Sequence, residues 1–594
     1  MLSIDAVDIR EGFYGVWVEN GSDLRFVPVG RDFKLTKVFL VIEEDTVMFE
    51  LCSDYGGHKF KHFQPRQELD AIGIKKLMGA GFDVKTNSSS VEIFQALIAL
   101  KEEQYLENHE MSYIHNAVGW EKITQNLTNE KLQAPLGAAY KSYNHMGNLK
   151  SKYDGNMDIK PRGSLEKQIE FIKKEVQGVT PCEVAFSIGC SAVVNGLIRD
   201  EVQTSNLIVH FCGDSSQGKT TAAQLAVSVA GIPDLQKISL MKSWNSTDNA
   251  IISRCKGNRG MPLVFDEISK YGGKDFTKLV YALSDGRDKE RLNRDGTLKK
   301  VTKNDSFATT IISTGEESLL NRCNNNTGLK VRVIEISVEF TLNAEHADRI
   351  KKGCFENCGW IAPALAEHMQ KKGMKYLLER HVFWKNLYSQ KTTIIQTLKE
   401  RVSANYSVIL MTAELINEAF GFKFDLEKML DFFVEKESDT APNQDIATEA
   451  HEKLIDFARS NYSHFTKFYH EKLRGKIGNN DVINTSVWGR IDLGYEKTYD
   501  ETRKIVGEFG FTVNSFKEIL RKLNYSDEKV VLKKLRDAGY LNHEKGKFYR
   551  KRKLRDTDGT STNMYVLYEF EEVSVRFEET FTELTSNEES PFID

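Results

Sequence analysis

The chain has little proline, ten in 594 residues, and its eight cysteines never fall into a CxxC spacing. Cys354 and Cys358 stand at i, i+4 and could share a helix face, but no second pair completes a tetrahedral zinc site. The cysteines therefore read as reduced core thiols. No apolar run reaches about 18 residues, and the start, MLSIDAVDIREG, lacks both a basic n-region and an apolar h-region. The expectation is a cytoplasmic chain with no membrane association. Charge of either sign is not in excess: 81 Lys and Arg against 85 Asp and Glu leave a formal −4. Any grip on nucleic acid must then come from local basic patches. What is present, 40% hydrophobic and 28% charged residues, describes a globular, helix-rich protein of about three or four domains.

One stretch organises the rest. In Asn206 to Thr221, NLIVHFCGDSSQGKTT, the apolar run Leu207 to Cys212 reads as a buried parallel strand and Lys219 onward as a helix. Between them lies GxxxxGK[ST], as Gly213, Asp214, Ser215, Ser216, Gln217, Gly218, Lys219 and Thr220, with Thr221 following. Glycines let the backbone wrap a phosphate, and exposed N–H groups at a helix N-terminus favour its charge. Lys219 would reach the β- and γ-phosphates of ATP, and Thr220 would offer its hydroxyl to Mg²⁺.

A second run, Met261 to Ile268 (MPLVFDEI), ends in two acids, as a buried strand delivering carboxylates to a sheet's C-terminal edge would. Asp266 would hold Mg²⁺ and Glu267 would activate the attacking water. Next, Phe307 to Glu316 carries Ser313 and Thr314, placed like a polar sensor of the γ-phosphate. Arg332, at the start of the strand Val331 to Val338, is the first candidate for an arginine finger acting on a neighbouring subunit. Arg322 is the second, and a surface salt bridge serves either arginine equally well. Between the acids and the sensor lies Asp288 to Val301, DKERLNRDGTLKKV, a hairpin pattern around Asp295-Gly296 with Lys289, Arg291, Arg294, Lys299 and Lys300. A basic hairpin here suits a ring translocase holding a nucleic-acid backbone; an exposed charged hairpin is the plainer reading.

In order, the loop, SWNSTDNA (Ser243 to Ala250), FDEI, YALSDGRDKERLNRDG, STGE, GLKVR and NCGWIAP (Asn357 to Pro363) resemble the phage- and island-borne AAA+ ATPases with an MCM-like core, and most of all the cassette chromosome helicases of staphylococcal mobile elements. The resemblance is firmest over Asn206 to Pro363. It implies a hexameric, ATP-driven DNA helicase whose presensor hairpin enters the channel.

The flanks are less specific. Residues 1–155 alternate β-formers and then show helical patterning, an α+β accessory domain; Lys59, Lys61 and Arg66 read best as a solvated face. Residues 156–375 make the ATPase core with its leading helices, 376–500 an all-helical lid and connector. Residues 501–570 pattern as helix, turn, helix and strand, with the basic segment KGKFYRKRKLR supplying Lys545, Lys547, Arg550, Lys551, Arg552 and Lys553. That is a winged helix with a cationic wing for DNA, though winged helices also bind proteins. Residues 571–594 form an acidic tail. The fold class expected is multidomain α/β and α around a parallel-sheet ATPase core. The function expected is a DNA helicase working with ATP and Mg²⁺ as a homo-hexamer. It would act on single-stranded and forked or double-stranded DNA in replication of a mobile element, alongside that element's other replication proteins. The alternatives are an ATP-switched initiator or regulator and a remodeller of protein substrates.

Overall fold

The computed structural model describes residues 7–123, 134–235, 238–273, 275–287, 305–323, 327–394, 396–440, 446–469, 486–500, 503–523, 525, 527–555 and 559–572. Two compact units emerge: Met1–Cys323 with Gly328–Thr440, and Asn324–Thr327 with Ala441–Asp594.

The first unit opens with an antiparallel meander of β1 (Val7–Arg10), β2 (Phe13–Asn20) and β3 (Asp23–Arg31). Strands β4 (Phe33–Val41), β5 (Thr46–Tyr55) and β6 (His58–Pro65) follow, β5 turning into β6 through Gly56 and Gly57, both at positive φ. Helices α1 (Ala71–Gly79) and α2 (Ser88–Asn108) are N-capped by the side chains of Asp70 and Asn87. They lay Ile74, Leu77, Phe94 and Leu97 over Val38, Phe49 and Leu51. Then come β7 (Ser112–His115), β8 (Val118–Lys122), β9 (Ala138–Lys141), β10 (His145–Met146) and β11 (Leu149–Tyr153).

After α3 (Leu165–Glu175), the helix α4 (Thr180–Val202) is buried along most of its length. By length and composition it could cross a membrane, but its apolar window is 94% buried inside the unit. The central elements are β12 (Leu207–Cys212), α5 (Lys219–Ser228), β13 (Met241–Ser243), α6 (Asp248–Cys255), β14 (Asn258–Arg259), β15 (Leu263–Asp266), α7 (Thr277–Asp285), β16 (Thr310–Thr314), α8 (Thr327–Lys330) and β17 (Val333–Ser337). They build a parallel sheet of order β13-β15-β16-β12-β17. Strands β12, β15 and β16 are buried at every residue because both faces of the sheet are covered. Helices α9 (Ala344–Glu356), α10 (Ile361–Lys391), α11 (Gln396–Phe420) and α12 (Leu426–Thr440) complete the unit, and α10 bends at Gly373, whose φ of +83° no helix contains.

The amino-terminal region is not the separate accessory domain expected over 1–155. Its second sheet runs β14-β8-β9-β10-β11-β7-β4-β5-β6, so a strand from between α6 and β15 is its edge. Gly119 makes this join possible: its φ is +81°, and a Cβ there would stand 2.0 Å from Arg259 O. Trp120 Nε1 donates to Val193 O at 2.8 Å and the Tyr140 hydroxyl to Gly260 O at 2.9 Å, fixing the sheet to α4 and β14.

The second unit contains α13 (Ile446–Ser460), β18 (Phe465–Tyr469), β19 (Gly489–Thr498), β20 (Arg503–Thr512), α14 (Val513–Lys522), α15 (Glu528–Asp537), β21 (Leu541–Asn542), β22 (Arg550–Arg552) and β23 (Thr562–Glu572). The helical connector expected over 376–500 therefore stops short. Its end contributes α13, β18 and β19 to this unit, where Ala450, Leu454 and Ala458 pack with Phe516, Leu532 and Leu535.

Candidate functional site

All five strands of the parallel sheet point the same way, so the loops leaving β12, β15 and β16 gather at one edge. Gly213 takes φ +128° and Gly218 φ +78°, which lets the chain wrap back to start α5 at Lys219. Lys219 is nine-tenths buried, and its ammonium donates to Gly213 O at 2.8 Å and Asp214 O at 2.6 Å. It is held across the loop, within reach of anything the loop cradles.

The acid pair meets this loop directly. Thr220 donates to Asp266 Oδ1 at 3.3 Å, and Thr314 donates to the same oxygen at 2.8 Å. The Glu267 N–H donates to Thr314 Oγ1 at 2.9 Å. Glu267 itself sits at φ +62°, a strained conformation for a non-glycine residue, and its carboxylate accepts from Ser269 Oγ at 2.6 Å. A cavity of about 650 Å³ opens over the loop, bordered by Ser215 to Thr221, Glu267, Glu316 and the start of α9. The oxygens of Thr220 and Asp266 form a hard donor pair suited to Mg²⁺.

Ser313 departs from the sensor role expected for it beside Thr314. Successive strand residues face opposite ways, and Ser313 turns from the cavity into a buried network. Trp244 Nε1 donates to its hydroxyl at 3.0 Å, and the hydroxyl lies 2.9 Å from His210 Nδ1. His210 Nε2 lies 2.8 Å from Glu317 O, an acceptor only, so the ring proton sits on Nε2 and Nδ1 accepts from Ser313. Burial lowers the His210 pKa, which keeps the ring neutral. This explains the SWNSTDNA segment: Trp244 braces β16 from below, and Thr247 caps α6.

The two arginines part company. Arg332 lies at the opposite edge of the sheet, before β17, where it donates to Gly328 O at 2.6 Å and stacks 4.7 Å over Tyr281. Arg322 lies beyond the C-terminal end of β16 on a turn whose N–H groups at Leu319 and Leu320 are accepted by Glu335. Among the described residues, no partner reaches the buried Nε of either arginine. Lys289, Arg291, Arg294, Lys299 and Lys300 fall outside the described residues. The chain on either side of them, Arg287 and Ser306, forms an antiparallel bridge.

Sequence reasoning missed the α9 side of the cavity. Asn343 caps that helix, and Lys351 lines the cavity 3.2 Å from Asp348. Neither belongs to a motif, and only the folded chain brings them there.

Against solved structures, the fold matches one described as "SCCmec type IV Cch - active helicase", over 96% of this chain and 98% of that one, with a TM-score of 0.70 and 23% identity. The chain has the Cch fold. Residues 445–569 match the Cch helix turn helix domain, and residues 43–303 match a domain of unknown function, DUF927. No curated protein matches the chain.

Within the Cch helix turn helix domain, α14 and α15 are N-capped by Thr512 and Asp527 and bury Phe516, Ile519, Leu532 and Leu535. The exposed face of α15 carries Lys529, Val530, Lys533 and Lys534, residues that the basic wing outweighs in the sequence pattern. In the wing, Arg552 is tied to buried Glu508 at 2.6 Å and Arg550 donates to Asn542, so both guanidiniums have structural duties. Lys547 pairs with Glu544 at 2.9 Å, while Lys545, Lys551 and Lys553 are exposed.

Proposed function

We propose that this protein is an ATP-driven DNA helicase. The observation that carries the reading is the single hydrogen-bonded set joining Thr220, Asp266, Thr314 and Glu267 at the mouth of the glycine-rich loop. It unites a phosphate cradle, a cation site and a base, the parts phosphoryl transfer requires. The loop from Gly213 to Thr221 cradles the phosphates, and Lys219 swings from its two carbonyls onto the β- and γ-oxygens. Thr220 and Asp266 would hold Mg²⁺, which would supply neutralisation of the phosphate charge. Glu267 takes the proton of the attacking water, and Thr314 keeps the two acids in register. An AAA+ core is supported by the sheet order β13-β15-β16-β12-β17, and a homo-hexameric ring by the family resemblance. Arg322 is better placed than Arg332 to reach a neighbouring subunit's nucleotide, since it shares the loop's edge and Arg332 is already engaged.

Work on DNA is supported by the helix turn helix domain with its basic α15 and by the basic segment 288–304, whose flanks meet at the sheet's other edge. Replication of a mobile element is the setting suggested by the SCCmec neighbour. An ATP-switched initiator remains the second reading, favoured by the same basic helix. Steady-state ATP turnover with and without Lys219→Ala tests the catalytic part: a loss of at least about a hundredfold is expected, and wild-type turnover in the mutant refutes the loop's role.

A further inference from the structure

The amino-terminal sheet has two very different faces. Val38, Phe49 and Leu51 lie under α1 and α2 on one face. The strand registers put another set on the other face: Lys37 opposite Glu50, Glu50 opposite Phe63, Cys52 opposite Lys61, Phe39 opposite Ser112 and Ile114 opposite Lys152. Lys150, two residues before Lys152, shares that face.

Lys37, Lys61, Lys150 and Lys152 are all exposed there. They span β6 to β11, four strand spacings or about 19 Å. Phe63 is 40% exposed among them and rests on buried Phe39, ring centroids 6.1 Å apart. An open cavity of about 1060 Å³ lies at the start of β7, with Lys37, Lys150, Lys152 and Tyr113 in its wall. Glu110 is the acid of that wall; Glu50, buried and bonded to Thr36 and Lys61, and exposed Asp54, opposite Lys59, are acids of the same face. A row of cations crossing several strands, with a supported aromatic ring standing out of it, meets the needs of an unpaired strand: phosphates along the row and a base on the ring.

We infer that this face binds single-stranded DNA. The inference rests on the helicase reading for the choice of DNA among polyanions, and the contacts are independent of nucleotide hydrolysis. The amino-terminal region then holds one separated strand on a sheet that is continuous, through β8 and β14, with the segment leading into the acid strand.

The test is fluorescence anisotropy with a labelled thirty-residue oligo-dT and the full-length protein, without ATP, across a salt titration. Replacing Lys37, Lys150 and Lys152 by Gln removes three cations and should lower the slope of log affinity against log salt by about 2, at ~0.7 per single-strand phosphate. Phe63→Ala should weaken oligo-dT binding about fivefold or more while leaving duplex binding within twofold. Melting temperature and DNA-free ATP turnover should stay at the wild-type level in both variants. An unchanged slope in the triple variant overturns the proposal, and equal losses on duplex and oligo-dT in Phe63→Ala overturn the single-strand assignment. A protein that binds in this way yet separates no strands would fail as a helicase and leave this site standing.

Discussion

The Thr314 hydroxyl donates to Asp266 Oδ1 at 2.8 Å and, through its lone pair, accepts the N–H of Glu267 at 2.9 Å. One side chain on the central strand thus fixes both acids of the neighbouring strand. Thr314→Val keeps the shape and removes the hydroxyl, leaving the Glu267 N–H without its acceptor. ATP turnover should fall about tenfold to a hundredfold with ATP affinity within about threefold, as expected for a residue acting through geometry. Wild-type turnover in this variant would remove Thr314 from the account.

The exposed lysines of α15 make a second prediction. Changing Lys529 and Lys533 to Gln should weaken duplex DNA binding and cut the salt slope by about 2, at ~0.9 per duplex phosphate. The same change should leave DNA-free ATP turnover untouched. Arg552→Gln, by contrast, should act chiefly on stability, because it strands Glu508, which is 5% exposed. Chemical denaturation separates the two effects.

Gly119→Ala tests the seam between the amino-terminal sheet and the core. The new methyl would meet Arg259 O at 2.0 Å, at a φ of +81° that alanine resists. Loss of about 2 kcal/mol or more in urea unfolding is expected. A change under about 0.5 kcal/mol would mean that the strands part without cost.

Acid should weaken the same region through His115, which is fully buried between Ser151 Oγ at 2.8 Å and Ser142 O at 2.6 Å. Burial, with Lys141 nearby, pulls its pKa from 6.5 to about 4. The folded ring therefore stays neutral while the unfolded chain takes up a proton below pH 6.5. Stability is whole above that pH and falls as the pH drops toward 4, by up to about 3 kcal/mol. A His115→Gln variant should flatten this part of the pH profile, and an unaltered profile would contradict the assignment.

How much of this was legible in the sequence depends on what kind of signal carried it. The strand, glycine loop and helix around Lys219, and the apolar run into Asp266 and Glu267, could be placed because each is local and continuous. Thr314 could be named but not separated from Ser313, since strand register decides which of two neighbours meets the acid pair. The edge pairing of β14 with β8 was out of reach: residues 258–259 and 118–119 are far apart in the chain, and Gly119 carries no sign of its partner. Lys351 had no motif, only a place on α9. The division of labour among the wing cations also needed the fold, because Glu508 stands some forty residues from Arg552 in the chain.

The most direct measurement is ATP-dependent separation of a forked DNA duplex by the purified protein beside its Glu267→Gln variant. Strand displacement is expected from the wild type and none from the variant, which should still bind ATP. ATP hydrolysis by the wild type without any displaced strand would contradict the helicase reading and favour the ATP-switched initiator.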